Sequence, residues 1–356
     1  MLRALLWIVA AATLACQQPA QAQQVQSAAD AAAEPARNTL QVEVRVDDKP
    51  WARPPAAASQ GQRLRLRVQN PAGPQALVRW FLVFPDLTRP YNNANPPGSH
   101  NAYQWRGIDP IDYYRVELTH LRGQWEVEPF AKGAPAIFAS VRAWLKDRDA
   151  EAYASLYHDD LGTFHFQAVV EDLDKRWRSP GPQDRDSLGL SPRVARVSLH
   201  DGDAWPGRLR AWFNVPGVFG STTPQANGHV GVDCADALMA AWGEHRGRAV
   251  QKNYNVDALV GLARDKVEAD LSGGEVQGTP LRWGDDVSPG DLVAVRYDGA
   301  SRYQHIGALD SDADGDGLLG PEDLILHAGP WPLQRSRLDT GFFDGHVIIF
   351  KPQKTW

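Results

Sequence analysis

Cysteine and methionine are scarce in this chain of 356 residues, at two each. Cys16 and Cys234 cannot build a disulfide framework, which excludes the small disulfide-stapled class. A basic excess is missing as well: 37 Lys and Arg face 43 Asp and Glu, for a net charge of −6. With no phosphate-binding face to assemble, nucleic acid is not an expected partner. Long apolar runs are absent beyond the N-terminus, and nothing later approaches ~18 consecutive apolar residues, so no transmembrane segment is expected there. What remains is an ordinary globular composition, 43% hydrophobic and 22% charged, with room for two domains.

The N-terminus reads as an address. Arg3 gives a positive start, Leu5 to Leu14 form a short apolar run, and Ala20-Gln21-Ala22 offers a small-x-small cleavage pattern. Residues 1–22 are expected to be an export signal, placing the chain in a periplasm or outside the cell. A rival pattern, Thr13-Leu14-Ala15-Cys16, resembles a bacterial lipobox in which Cys16 would carry a lipid anchor, although Leu14 sits one position late. Export leaves Cys234 without a partner in an oxidising compartment, so it is either buried or used.

Residues 23–37 are rich in Ala and Gln without periodicity and are expected to be a flexible tether. Alternation then starts with Leu40, Val42, Val44 and Val46, and repeats at Leu64, Leu66 and Val68. Val78 to Phe84 reads as a strand buried on both faces, and Tyr114, Val116 and Leu118 alternate again. Together they predict a β-sandwich-like domain over 38–130. From Pro135 the period becomes helical, through Ile137, Val141, Trp144 and Leu145 and then Tyr153, Leu156 and Tyr157. Residues 131–205 are expected as a helical or mixed connector, with strands at Arg193–Leu199 and Arg208–Val215.

The chemistry gathers over 206–356. Asp233 is a good helix N-cap, and Ala235, Leu238, Met239 and Trp242 follow a core-facing helical stripe. Cys234 falls in the first turn, ahead of that stripe, where free N–H groups and the helix dipole are expected to lower a thiol's pKa. The Gly- and Pro-rich residues 216–231 before it allow close approach of a substrate. Strands follow at Asp291–Tyr297, at His305-Ile306-Gly307-Ala308-Leu309, at Leu324-Ile325-Leu326-His327-Ala328 and at His346–Phe350. A thiol nucleophile needs a base oriented by a third polar group, and imidazoles supply both roles.

Asp-Cys-Ala opening a helix, then Pro-Gly-Asp-Leu-Val, His-Ile-Gly and Ile-Leu-His-Ala, resembles the NlpC family of bacterial cell-wall cysteine peptidases. The resemblance covers about 210–352 and implies an α+β, papain-like domain with its Cys helix packed on an antiparallel sheet. It implies Cys234 as nucleophile, His305 as base and His327 as the residue orienting it, with peptidoglycan stem peptides as substrate. Asp236 stands where many members have Gly, and Phe219-Gly220 where members often carry a substrate-contacting Tyr. The stretch 254–285 is longer than a minimal member needs. His346 imitates the base but follows the wrong strand and lacks the Gly. His229 is close in sequence to Cys234 and reads as a loop residue. A zinc centre of Cys234, His305 and His327 fits no compact zinc spacing.

Asp312-Ala313-Asp314-Gly315-Asp316-Gly317-Leu318 through Asp323 reads as a twelve-residue, EF-hand-like Ca2+ loop. Asp312, Asp314 and Asp316 hold positions 1, 3 and 5, Leu318 offers its carbonyl at 7, and Asp323 replaces the usual Glu at 12. Without a cation, Asp310 and these three would repel one another. The expected activity is therefore an exported cysteine hydrolase with a structural calcium. Two alternatives stay open: a thiol amidase or acyltransferase acting on another amide or ester, and a non-catalytic calcium-dependent binding protein.

Overall fold

The computed structural model describes residues 24–34, 37–38, 40–73, 75–354 and 356. Residues 1–22, expected to be an export signal, and Cys16 within them lie outside the described residues. The described chain is mixed α and β, rich in strand, with several sheets. No helix among the described residues is long and apolar enough to cross a membrane.

Alternation builds the front of the molecule. Val42–Val46 and Leu64–Val68 pair antiparallel, burying their Val and Leu side chains while the Glu and Arg between them turn outward. A larger sheet packs against this pair. Leu77–Pro85 runs between Tyr113–Glu117 and Gly162–Asp172. Val44, Leu66, Trp80, Leu82, Phe164 and Phe166 share one core with Val141 and Leu145 of the helix Ala139–Lys146.

Three expectations change here. The sandwich does not close at residue 130, because Gly162–Asp172, Lys175–Arg178 and Ala195–His200 belong to the same large sheet. The stretch expected as a helical connector thus supplies an eleven-residue strand next to the sheet's centre. Phe164, Phe166, Ala168 and Val170 face the core, while His165 and Gln167 on the other face are buried as well. Gln167 Oε1 accepts from Arg115 Nη1 at 2.8 Å. Polar residues on a buried face hid the strand.

Second, the segment expected as a tether is docked over 26–34. Gln26–Ser27 pairs antiparallel with Tyr114 and Arg115. Ser27 and Asp30 then form a reciprocal capping box at the start of the helix Ala28–Ala33. Glu34 follows, ion-paired to the fully buried Arg115 and, at 2.8 Å, to Arg176. Third, Arg208–Val215 is not a strand. Helix Trp205–Leu209, with a Pro in its first turn, and the 3-10 turn Arg210–Trp212 occupy it.

The back is a seven-stranded antiparallel sheet. Its spatial order is Glu275–Gln277, Val267–Ser272, Gly345–Phe350, Leu292–Arg296, His305–Ser311, Leu324–His327, Gln334–Arg337. Leu292, Ala294, Ile306, Ala308 and Leu326 face the helix Cys234–His245 and its core. Val293, Val295, Leu309 and Ile325 face the other way, onto Leu271 and Phe343. The long stretch 254–285 forms the helix Val256–Leu262 and a hairpin that extends the sheet.

Candidate functional site

Asp233 caps the Cys234 helix, its Oδ1 accepting from the Ala235 and Asp236 N–H groups at 3.1 and 3.0 Å. The Cys234 N–H itself has no hydrogen-bond partner among the described residues. Gly329, at φ +86°, lies over it: a Cβ built there would stand 3.3 Å from the Cys234 nitrogen. Glycine therefore keeps space open at an unused backbone donor, as an oxyanion site requires. The Ile306 N–H is directed at the Cys234 sulfur, which brings the thiol against the residue following His305.

The two histidines sit on neighbouring strands, with His327 opposite Gly307. His305 Nε2 and His327 Nδ1 are 3.0 Å apart, and His327 Nε2 lies 3.0 Å from Ser336 Oγ. Both imidazoles pack on Phe343, with ring centroids 5.1 and 5.5 Å away. Phe342 covers His327 at 4.7 Å. Gly307 admits this packing, since a Cβ there would come within 2.8 Å of the Phe343 ring. Cys234 and His305 make no direct hydrogen bond. The thiol approaches from the helix face of the sheet, whereas the imidazoles share the Phe343 face.

Electrostatics reverse the expected thiol pKa. Burial pushes the Cys234 thiol up, and the Asp233 carboxylate pushes further in the same direction. Only the Ile306 and Ala235 N–H groups oppose them. The helix start alone would lower it, but desolvation and the capping carboxylate win. Burial also lowers His305 to about 4 and His327 to about 3. At pH 7 the thiol and both imidazoles are therefore neutral.

Sequence reasoning missed several supporting groups. Ser221 Oγ donates to the buried Asp236 Oδ2 at 2.6 Å and accepts from the Asp233 N–H at 2.9 Å. Asp236 is thus turned inward and held well above the ordinary carboxylate range by burial and by Asp233. Ser336 was findable only once the strand Gln334–Arg337 was known to pair with Leu324–His327. Tyr297 donates to the Phe342 carbonyl at 3.0 Å, behind the histidines. His229 and His346 are placed elsewhere. His229 bonds Thr163 at 2.7 Å and stacks on Trp212, and His346 bonds Asp270 at 3.0 Å. A separate cavity of about 440 Å³ in the front, with Arg63, Glu128 and Phe130 in its wall, is lined by no Cys or His.

The acidic loop joins the two histidine strands. Carboxylate oxygens of Asp312, Asp314 and Asp323 lie within 4.8 Å of one another, so three of the five expected ligands converge. Asp316 is outside this group, its Oδ1 accepting from the Leu318 N–H at 2.7 Å. The Leu318 carbonyl has no hydrogen-bond partner among the described residues. Asp323 is buried and anchored by Trp283 Nε1 at 2.8 Å and by the N–H groups of Gly320 and Ala313 at 2.9 and 3.0 Å. The repulsion expected from Asp310 does not arise, because Arg210 and Arg335 both pair with it.

No protein-family model, no curated protein and no solved structure matches this chain.

Proposed function

We propose that the chain is an exported cysteine hydrolase of amide bonds, with peptidoglycan stem peptides as substrate and Cys234, His305 and His327 as its machinery. One observation carries the reading: the hydrogen-bonded chain His305–His327–Ser336 beside a helix-opening cysteine whose backbone N–H is unused. That chain can run in either direction. If His327 Nε2–H donates to Ser336 and His305 Nε2–H to His327, the lone pair on His305 Nδ1 is left to act as base.

The neutral pair sets how the step proceeds. His305 Nδ1 takes the thiol proton as the sulfur attacks the carbonyl carbon, and the oxyanion is held by the Cys234 N–H. The C–N bond then breaks, and His305 returns its proton to the departing amine. Water, deprotonated by His305, cleaves the thioester and restores the thiol. Cys234 and His305 share no hydrogen bond in this structure, so the transfer requires the His305 ring to come within hydrogen-bond reach of the thiol when substrate is bound.

The test is soluble-peptide release from purified peptidoglycan. Cys234→Ala is expected to abolish it, and His305→Ala to lower kcat by roughly 10²–10⁴-fold. Release that persists in Cys234→Ala, or is absent with the native protein, defeats the reading.

The loop Asp312–Asp323 is proposed to take Ca2+ through Asp312, Asp314, Asp323 and the Leu318 carbonyl, so steadying the connection between the histidine strands. Hard carboxylate and carbonyl oxygens suit that ion. Trp283 against Asp323 provides an optical reporter: terbium bound there gains sensitised emission, which calcium displaces and Asp312→Asn abolishes. No emission, and no change in melting temperature with millimolar calcium, would rule the ion out.

A further inference from the structure

The residues 91–105 contain no Asp, Glu, Lys or Arg, in a chain that is 22% charged. They hold four Asn, one Gln, two Tyr and one Trp instead. The segment folds as a hairpin closed by a bridge between Ala94 and Trp105. Bonds from Asn95 N–H to the Gln104 carbonyl (2.9 Å) and from Tyr103 N–H to the Asn95 carbonyl (2.7 Å) support it. Its returning strand exposes two rings, Tyr103 at 59% and Trp105 at 53%. The side-chain amides of Asn101 and Gln104 beside them have no partner among the described residues.

The hairpin is fixed next to the candidate nucleophile. Tyr91–Asn92 pairs in parallel with Val218–Phe219, and Gly217 bridges Val232, two residues before Cys234. The rings of Tyr103 and Phe219 are 6.0 Å apart. Asn93, fully buried, donates to Gln225 Oε1 at 2.8 Å and to the Gly220 carbonyl at 3.2 Å. Gly220 approaches so closely that a Cβ on it would meet Ala94 at 3.0 Å. Two strand spacings, roughly 10 Å, thus separate the hairpin backbone from the backbone leading into Cys234. Phe342, the other exposed aromatic among the described residues, lies on the histidine side.

We propose that Tyr103, Trp105 and Phe219, with the amides of Asn101 and Gln104, form a subsite for N-acetylated hexose rings beside the scissile amide. The choice of ligand follows from chemistry. Aromatic faces cover the apolar C–H face of a pyranose, and primary amides both donate to and accept from hydroxyl and acetamido groups. Charged ligands would require opposite charge, and this stretch carries none. The acetylated sugar, as opposed to hexoses in general, rests on the peptidoglycan reading above.

The experiment uses the chain with Cys234→Ala and a tetramer of N-acetylglucosamine, observed by saturation-transfer NMR and titration calorimetry. Binding is expected, and Trp105→Ala in that background should weaken it about tenfold, which is ~1.4 kcal/mol. In the otherwise native enzyme, Trp105→Ala should slow turnover of intact peptidoglycan and leave turnover of a sugar-free stem peptide unchanged. Absence of binding to the Cys234→Ala protein overturns the subsite. An equal loss on both substrates overturns it in favour of peptide recognition. Sugar binding that depends on Trp105 in a protein without hydrolase activity would retire the proposed catalysis while leaving the subsite standing.

Discussion

Desolvation decides the chemistry of Cys234. An isolated helix start would favour the thiolate, yet burial and Asp233 favour the thiol, and His305 is held at about 4 by burial. Alkylation of the resting protein by iodoacetamide is therefore expected to climb with pH beyond the unperturbed thiol range of about 8.5. A plateau reached well below that range would mean a preformed thiolate–imidazolium pair. Gly329 makes the second residue-scale prediction. Gly329→Ala places a side chain at φ +86° and 3.3 Å from the Cys234 nitrogen. Loss of one oxyanion donor costs roughly 10²–10³ in kcat, and KM should change far less. Unaltered kcat in a folded variant would remove the Cys234 N–H from the mechanism. The pairing of His305 with His327 on neighbouring strands was legible from motif order. The direction of the thiol shift was not, because no local sequence pattern records how much water an interior excludes.

Whole strands and segments were legible where one face is apolar and the other wet. Val42–Val46 and Leu64–Val68 fit that rule, and the sequence marks both. Gly162–Asp172 breaks it by burying a polar face, with Gln167 satisfied by Arg115 and by the Ser179 carbonyl at 3.0 Å. Such pairing is invisible without the partner strand. The segment 26–34 was missed for a related reason: short Ala-rich helices have little intrinsic stability, and this one is held from outside. Glu34 supplies the counter-charge of Arg115, whose side chain is wholly buried. Glu34→Ala leaves that guanidinium short of a counter-ion and should destabilise the protein by about 3 kcal/mol. Denaturant unfolding measures it, and a midpoint equal to the native one would show the segment to be only resting on the sheet.

Across the whole molecule, buried histidines set the response to acid. His229 and His305 are lowered to about 4, and His165 and His327 to about 3, by burial. Once unfolded, each binds a proton near 6.5. Between those values the unfolded chain holds more protons, so stability is full above about pH 6.5 and declines as pH falls toward 4. Asp233, raised to about 6, works in the opposite sense, adding stability as pH falls from 6 toward 3.8. Asp236 acts with it. With His120 and His158 also lowered, six histidines stand against four raised carboxyls, Asp233, Asp236, Asp291 and Asp323, and near pH 6 the histidines lead. Melting temperature is expected to drop from pH 7 to pH 5, with a smaller drop in His165→Gln; a flat profile over that range would contradict the burial of these rings.

The ladder joining residues 91–92, 217–219 and 232 has a consequence for how such a protein can be cut and recombined. Asn93 of the front completes hydrogen bonds to Gly220 and Gln225 of the back, and Thr163 does the same for His229. A crossover near residue 205 would hand the back unit a stranger's loop, leaving an unpaired strand edge and stripped amides beside Cys234. The two halves can be inherited together or redesigned together, but neither is an exchangeable cassette.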